Sequence, residues 1–234
     1  MWLQLFYYCK NTLLNILNGE IMTDCYIYDT VRTPRGKGKK NGSLHEVTAV
    51  ELATQVLNNI KSSKELRALI IRAKGDIFCA GGDLKWMKET RNKDRKKRIA
   101  EAKSLAQMFL DLYNLRVPTF TEVTGDAYGG GVGLLSACDF VFSLDTVKYS
   151  LSETRLGLIP ATIAPFLVNK LGKGPSKMLF LSTRPIGAET AKQIGLITKI
   201  FPEIEKNGIH EKLVFPTGSN PEDFWGVLDT YWLD

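Results

Sequence analysis

Apolar and polar positions along the chain change period several times, and each change predicts an element. Residues 26–31, "YIYDTV", are rich in aromatic and β-branched side chains and predict a short strand. A basic, glycine-rich loop, "RTPRGKGKKNG", follows. Ser43 and Glu46 have capping-box spacing, and Val47, Val50, Val56, Leu57 and Ile60 recur at helical intervals, so the pattern predicts a helix over 44–61. "RALIIRA" (67–73) is nearly continuous in apolar residues, as a buried parallel strand would be. It leads into "KGDIFCAGGDLKWM", a loop that opens a helix, and residues 93–115 predict a long helix with Lys and Arg in its first turns. "PTFTEVTG" and "DFVFSLD" predict strands on either side of a glycine run and a helical "GLLSAC". "AETAKQIGLITKIFP" predicts helix, glycine stop and strand. Strand–helix alternation over 67–202 predicts an α/β domain.

The beginning, "MWLQLFYYCKNTLLNILNGEI", is apolar but broken by Gln4, Lys10, Asn11, Asn15 and Asn18. It lacks the run of roughly 20 apolar residues that a membrane span needs, and it lacks a basic signal-peptide n-region. Residues 1–21 are therefore expected to form an amphipathic helix or a disordered leader. Residues 203–234 show several turn residues and no sustained periodicity.

Composition narrows the class. The chain has 234 residues, 44% hydrophobic and 24% charged, the balance of a soluble globular protein. A formal charge of +6 is too small for a dedicated nucleic-acid binder and suits an acidic or phosphorylated small molecule. Cys9, Cys25, Cys79 and Cys138 form no CxxC pair, and His45 and His210 are the only histidines, so neither a zinc site nor a disulfide framework is expected. A reducing, cytoplasmic setting follows.

Two glycine loops carry the candidate chemistry. "CAGGD" (79–83) and "GDAYGGGVG" (125–133) each follow a strand and precede a helix. Backbone N–H groups at helix starts have no intrahelical partner and sit at the positive end of the dipole. Two such loops facing one another could hold a developing oxyanion, and bare glycines would let it come within about 3 Å of the main chain. Alternatively, the glycines serve only close helix–strand packing. Neither loop matches GxxxxGK[ST] or GxGxxG, which argues against a phosphate cradle. Glu153, in "LSETRLG", is a candidate acid, or else a helix cap or a partner of Arg155. The run 91–98, "RNKDRKKR", reads as a solvated helix face or as a surface that steers an anionic ligand. Trp86 lines a pocket or belongs to the core, while Met108 and Cys138 read as packing.

The stretches "LRALIIRAKGDIFCAGGDLKWM", "GDAYGGGVGLLSACDFVFS", "YSLSETRLGLIPATIAPFL" and "ETAKQIGLITKIFP" together resemble the crotonase (enoyl-CoA hydratase/isomerase) superfamily over residues 62–202. "GGGVGLLSACD" and "SETRLGLIPATIAP" look most like bacterial 3-methylglutaconyl-CoA hydratases and related branched-chain enoyl-CoA hydratases. The resemblance implies a spiral of ββα repeats, an acyl-CoA thioester substrate and a role in fatty-acid or leucine breakdown. It implies no metal or redox cofactor, coenzyme A being part of the substrate, and it implies a homotrimer or hexamer. It places the two oxyanion donors on the backbone N–H groups of Gly82 and Gly130, with Glu153 as general acid/base. Ala80, Gly81, Asp83, Leu84, Lys85, Trp86 and Gly129 fall on the substrate-binding stretch. A second family carboxylate would fall on Gly133, where there is none; the resemblance therefore also admits an isomerase.

Residues 22–60 resemble instead the beginning of a thiolase (acetyl-CoA acyltransferase), although no thiolase active-site motif follows. The expected organisation is a leader (1–21), a thiolase-like strand–loop–helix (22–61), a crotonase-like core truncated at both ends (62–202) and a tail of unclear fold (203–234). A non-catalytic remnant that at most binds CoA is the competing expectation, and thiolase-type acyl transfer a third.

Overall fold

In a computed structural model the described residues are the backbone of 5–9, 25–27, 37–40 and 43–48, together with 57–58, 69–73, 77–82 and 90–202. The predicted strand–strand–helix repeat is present. β5 (Leu69–Arg72) is followed by β6 (Ile77–Cys79), and β7 (Thr119–Val123) by β8 (Asp126–Tyr128) and helix α2 (Gly130–Ala137). β9 (Phe140–Leu144) leads to β10 (Lys148–Ser150) and a 3-10 turn, Glu153–Leu156. The first strand of each pair joins one sheet and the second strand joins another. β5, β7 and β9, with β12 (Lys199–Phe201), pair in parallel within a six-stranded sheet, while β6, β8 and β10 pair in parallel within a four-stranded one that ends in β11 (Ile186–Gly187). The chain thus winds as a spiral of ββα units, as expected.

Helix α1 (Arg95–Tyr113) begins at Asp94, whose carboxylate accepts the Lys97 N–H at 2.9 Å. It buries Met108, Phe109 and Leu112 and leaves its basic first turn in solvent, where Lys93 donates to Glu101 at 2.5 Å. All five residues of β7 are buried, and an aromatic ladder crosses the sheet behind them. Phe120 stacks on Phe140 at 5.0 Å and on Phe142 at 6.0 Å, and Phe142 meets Phe201 edge-on at 6.1 Å. Each such contact adds about 0.5–1.5 kcal/mol beyond the area it buries. Asp139 closes the turn between α2 and β9 by accepting from both the N–H and the hydroxyl of Thr119, each at 2.8 Å. Helices α3 (Ala164–Leu171), α4 (Lys173–Leu181) and α5 (Ala188–Gln193) complete the described layers. Cys138 and Met108 are buried, in keeping with the packing roles read from sequence.

Two expectations for the N-terminal part need correction. Within residues 1–21, Leu5–Cys9 is not helical but a strand, β1, antiparallel to β5 on one side and to β2 (Cys25–Ile27) on the other. Its sequence, "LFYYC", has the aromatic bias of a strand, and pairing satisfies the edge of β5 that would otherwise present unpaired amides. The helix predicted over 44–61 is also absent from its first turns. Ser43–Thr48 is strand β4, antiparallel to β3 (Lys37–Lys40) with Lys40 opposite Ser43. Only Asn41 and Gly42 separate those partners, the residue pair favoured in two-residue hairpin connections. The hairpin signal therefore outweighs the capping-box spacing. Leu57 and Asn58, farther along, are helical.

Candidate active site

The site lies at the carboxyl ends of three neighbouring parallel strands, β6, β8 and β10. Such ends are where open α/β sheets collect functional loops. The order β10-β8-β6 sets side by side the segment after β6 (Ala80 to Gly82), the start of α2 (Gly129 and Gly130) and the 3-10 turn that begins at Glu153.

Register aligns the two glycine loops. β6 and β8 pair Ile77 with Asp126 but Cys79 with Ala127, an irregularity that advances β6 by one residue. Bulges of this kind re-aim the chain next to functional sites. Carried forward, the shifted register sets Gly81 beside Gly129. Contacts agree: a β-carbon built on Gly129 would lie 3.5 Å from Gly81 Cα, and one on Gly81 would lie 3.4 Å from the Tyr128 carbonyl oxygen. Gly81 (φ 88°) and Gly129 (φ 51°) both adopt left-handed backbone, which L side chains rarely enter. The Gly129 N–H donates to the Ser150 carbonyl at 2.9 Å, extending the pairing of Tyr128 with Ser150 and tying the loop to β10.

The glycines of the run have separate surroundings. Gly130 is half-buried, and a β-carbon there would meet nothing within 4 Å among the described residues. Gly82 is exposed. As first residue of α2, Gly130 carries one of the N–H groups that a helix cannot satisfy internally. Gly131 packs on Cys79, whose Cβ would stand 2.6 Å from its added carbon, and Gly133 packs on Ile163, whose Cγ2 would stand at 2.3 Å. Both readings of the glycines therefore hold, at different positions. The open space adjoins Gly130, and the close packing falls on Gly131 and Gly133.

Glu153 completes the group. Its Oε1 lies 3.2 Å from the position of a Gly129 β-carbon, so the carboxylate sits over the glycine loop. Its Oε2 is buried and accepts no hydrogen bond among the described residues. Burial pushes the Glu153 carboxyl above the ordinary carboxylate range, with its own backbone amide pulling the other way. Neither alternative role for this residue is met. No side chain caps the 3-10 turn, and Arg155 donates to the Thr183 carbonyl at 2.6 Å, with no ion pair to Glu153 among the described residues. The Gly157 N–H closes the turn on the Glu153 and Thr154 carbonyls, which fixes the backbone beneath the acid.

The structure thus brings Gly81, Gly129 and Glu153 together, with Gly82 and Gly130 next to them. Ala80 is exposed at the head of its loop. Asp83, Leu84, Lys85 and Trp86 lie outside the described residues. Sequence reasoning missed Cys79 and Ile163, each the wall against which a glycine packs. Cys79 adjoins the first loop and could have been singled out, but Ile163 lies thirty residues beyond Gly133 in sequence and carries no signal of its own. A backbone amide at a helix start can polarise a carbonyl, and a partly buried acid beside it, with one oxygen unpaired among the described residues, can move a proton.

The enoyl-CoA hydratase/isomerase family profile matches residues 37–214, more than half of the chain. The match begins inside the segment that resembles a thiolase and runs past residue 202. The mouse mitochondrial methylglutaconyl-CoA hydratase is 31% identical over 156 residues, 66% of this chain and 49% of that protein. The bacillaene synthase dehydratase of Bacillus subtilis is 30% identical over 173 residues, 74% of this chain and 63% of that protein. The crystal structure of an enoyl-CoA hydratase from Shewanella pealeana superposes with a TM-score of 0.65 at 29% identity, covering 70% of this chain and 62% of that one. The chain spans about half to three-fifths of the length of the curated relatives it matches. By fold and by sequence, the chain belongs to the enoyl-CoA hydratase/isomerase family.

Proposed function

We propose that this chain binds an acyl-CoA thioester, polarises its carbonyl with the backbone N–H groups of Gly82 and Gly130, and moves a proton through Glu153. The observation that carries the reading is the Glu153 carboxylate, partly buried with Oε2 unpaired, held over the glycine loop that precedes Gly130. In the forward reaction a water adds to the β-carbon of an enoyl-CoA. Electron density moves to the thioester oxygen, where the two amides stabilise the enolate. Glu153 takes the proton from water and then delivers it to the α-carbon. The substrate class favoured by the relatives is a branched or dicarboxylic enoyl-CoA, and the exposed basic first turn of α1 would attract the CoA phosphates.

A second reading has its own observation. Ile163 fills the space beside Gly133, so that position offers neither a second carboxylate nor room for one. One acid that removes and returns a proton on the same substrate suffices for double-bond isomerisation. Thiolase-type transfer has less support: Cys79 and Cys138 are both buried, and burial pushes the Cys138 thiol up to about 11.

The test is an assay of crotonyl-CoA and 3-methylglutaconyl-CoA with purified protein beside Glu153→Gln. Hydration by the wild type and its loss in the variant support the proposal. Migration of the double bond without uptake of water selects isomerisation. Equal, negligible rates in both proteins overturn the catalytic reading and leave a CoA-binding remnant.

A further inference from the structure

Cys79 is a buried thiol that the reaction above does not use. It ends β6 and stands three residues before Gly82, while its contact, Gly131, directly follows Gly130. The contact is close: a Gly131 β-carbon would come within 2.6 Å of Cys79 Cβ, 3.3 Å of its Sγ and 3.4 Å of its carbonyl oxygen. Strand and helix therefore meet closely here, with the Cys79 side chain and none from the helix between them. Two residues farther along, Gly81 meets the backbone of Tyr128 and Gly129. The spacing of the loops is thus held at two points, and of these contacts only that of Cys79 involves a side chain.

We propose that Cys79 is a positioning residue, one that sets the separation of the Gly82 and Gly130 amides around the thioester oxygen. The proposal rests on the oxyanion reading and adds to it the element that tunes it. A cysteine meets the geometric demand. Its single, unbranched Sγ fills the volume beside Gly131 without a second branch, whereas valine would add a methyl at the contact and push α2 away from β6. The sulfur also lies among the backbone groups it would position. Burial pushes the thiol up, while hydrogen bonding from the Gly81 and Gly131 backbones opposes that rise. The neutral thiol is consequently a spacer and weak acceptor, not a nucleophile.

Misplacing a catalytic group by about 1 Å can cost on the order of a hundredfold in rate. Displacing one amide should therefore weaken carbonyl polarisation more than ligand affinity. The test uses a chromophoric dimethylaminocinnamoyl-CoA, whose absorption moves to longer wavelength when its carbonyl is polarised, so it reads the amides without turnover. Wild type, Cys79→Val, Cys79→Ser and Glu153→Gln are titrated with it, and their melting temperatures and rates with enoyl-CoA are measured in parallel. The expected result is a red shift in wild type and in Glu153→Gln, a clearly smaller shift per bound ligand in Cys79→Val, and near recovery in Cys79→Ser. For Cys79→Val, kcat should fall about tenfold or more with KM nearly unchanged. A merely structural cysteine would lower the melting temperature and the fraction of binding sites but leave the shift per bound ligand intact, and that result overturns the proposal. If Cys79→Val does not fold, Cys79→Ala carries the same comparison, and an unchanged shift there counts equally against it. A wild type that binds the probe without any shift overturns the oxyanion reading, and this inference with it. A normal wild-type shift that the Cys79 variants share overturns this inference alone.

Discussion

Gly130 and Gly133 stand one helical turn apart on α2 and lack a side chain for opposite reasons. Among the described residues, Gly130 has nothing within 4 Å of where a β-carbon would be, whereas Gly133 is pressed onto Ile163 and Phe109, at 2.3 and 3.3 Å. The first absence leaves a backbone amide approachable and the second lets helices cross. The difference teaches that a glycine run is not one feature. Its members divide between a site and a core according to what each meets: the first residue of α2 looks into open space, and one turn further along the helix crosses Ile163.

Substitutions can break that division. The largest effect is expected from Glu153→Gln, the acid on the open side: enoyl-CoA turnover should fall by about 10²–10⁴-fold in a steady-state assay while CoA-thioester affinity holds. Gly133→Ala should act on stability instead. Its new carbon overlaps Ile163, and overpacking typically costs about 1–3 kcal/mol, measurable by urea denaturation. Adding Ile163→Ala removes the Cγ2 overlap but leaves Ile163 Cβ at 2.9 Å, so rescue should be partial. Gly130→Ala should show the reverse profile. Stability stays within about 0.5 kcal/mol of wild type or rises through helix propensity, while thioester binding weakens because the methyl enters the space a ligand needs. Equal destabilisation by the Gly130 and Gly133 variants would erase the distinction.

The smallest effect is in pH dependence. Because burial raises the folded Glu153 carboxyl above the range it has in the unfolded chain, the unfolded state releases this proton first. Folding therefore loses stability as pH rises from the ordinary carboxylate range through the raised folded value, and levels off above it. Glu153→Gln should accordingly be more stable than wild type near neutral pH, with the advantage vanishing at acid pH, in paired thermal melts. The same elevation moves the pH at which the acid becomes a base upward in the rate profile.

Two exposed apolar stretches frame the same contrast. Ile159 is 78% exposed and Leu181 is 68% exposed, whereas all five residues of β7 are buried.

Much of this was legible in the chain. The apolar run at 69–71 declares a buried parallel strand because both of its faces must be covered, and alternating strands and helices then allow few windings. Glu153 and the two glycine loops were identifiable as candidates, because an oxyanion needs bare backbone at a helix start and that need leaves a compositional trace. Local patterns failed where two signals overlapped. Ser43 and Glu46 suit a helix cap, but the pair Asn41-Gly42 suits a hairpin, and pairing between β3 and β4 decides in favour of the second. β1 was likewise unreadable as a strand, since its reason to extend is the open edge of β5, far away in sequence.

Local chemistry along 67–202 is enough to specify most of the segments that extend or coil, and which residues have no side chain to obstruct a visitor. It cannot say which glycine has free space beside it and which meets Ile163, nor that a one-residue slip beside Cys79 brings Gly81 level with Gly129. Those are properties of contacts between distant segments. Such contacts exist only when the sheets have formed, because register and helix facing are set by packing partners rather than by the residues that carry them.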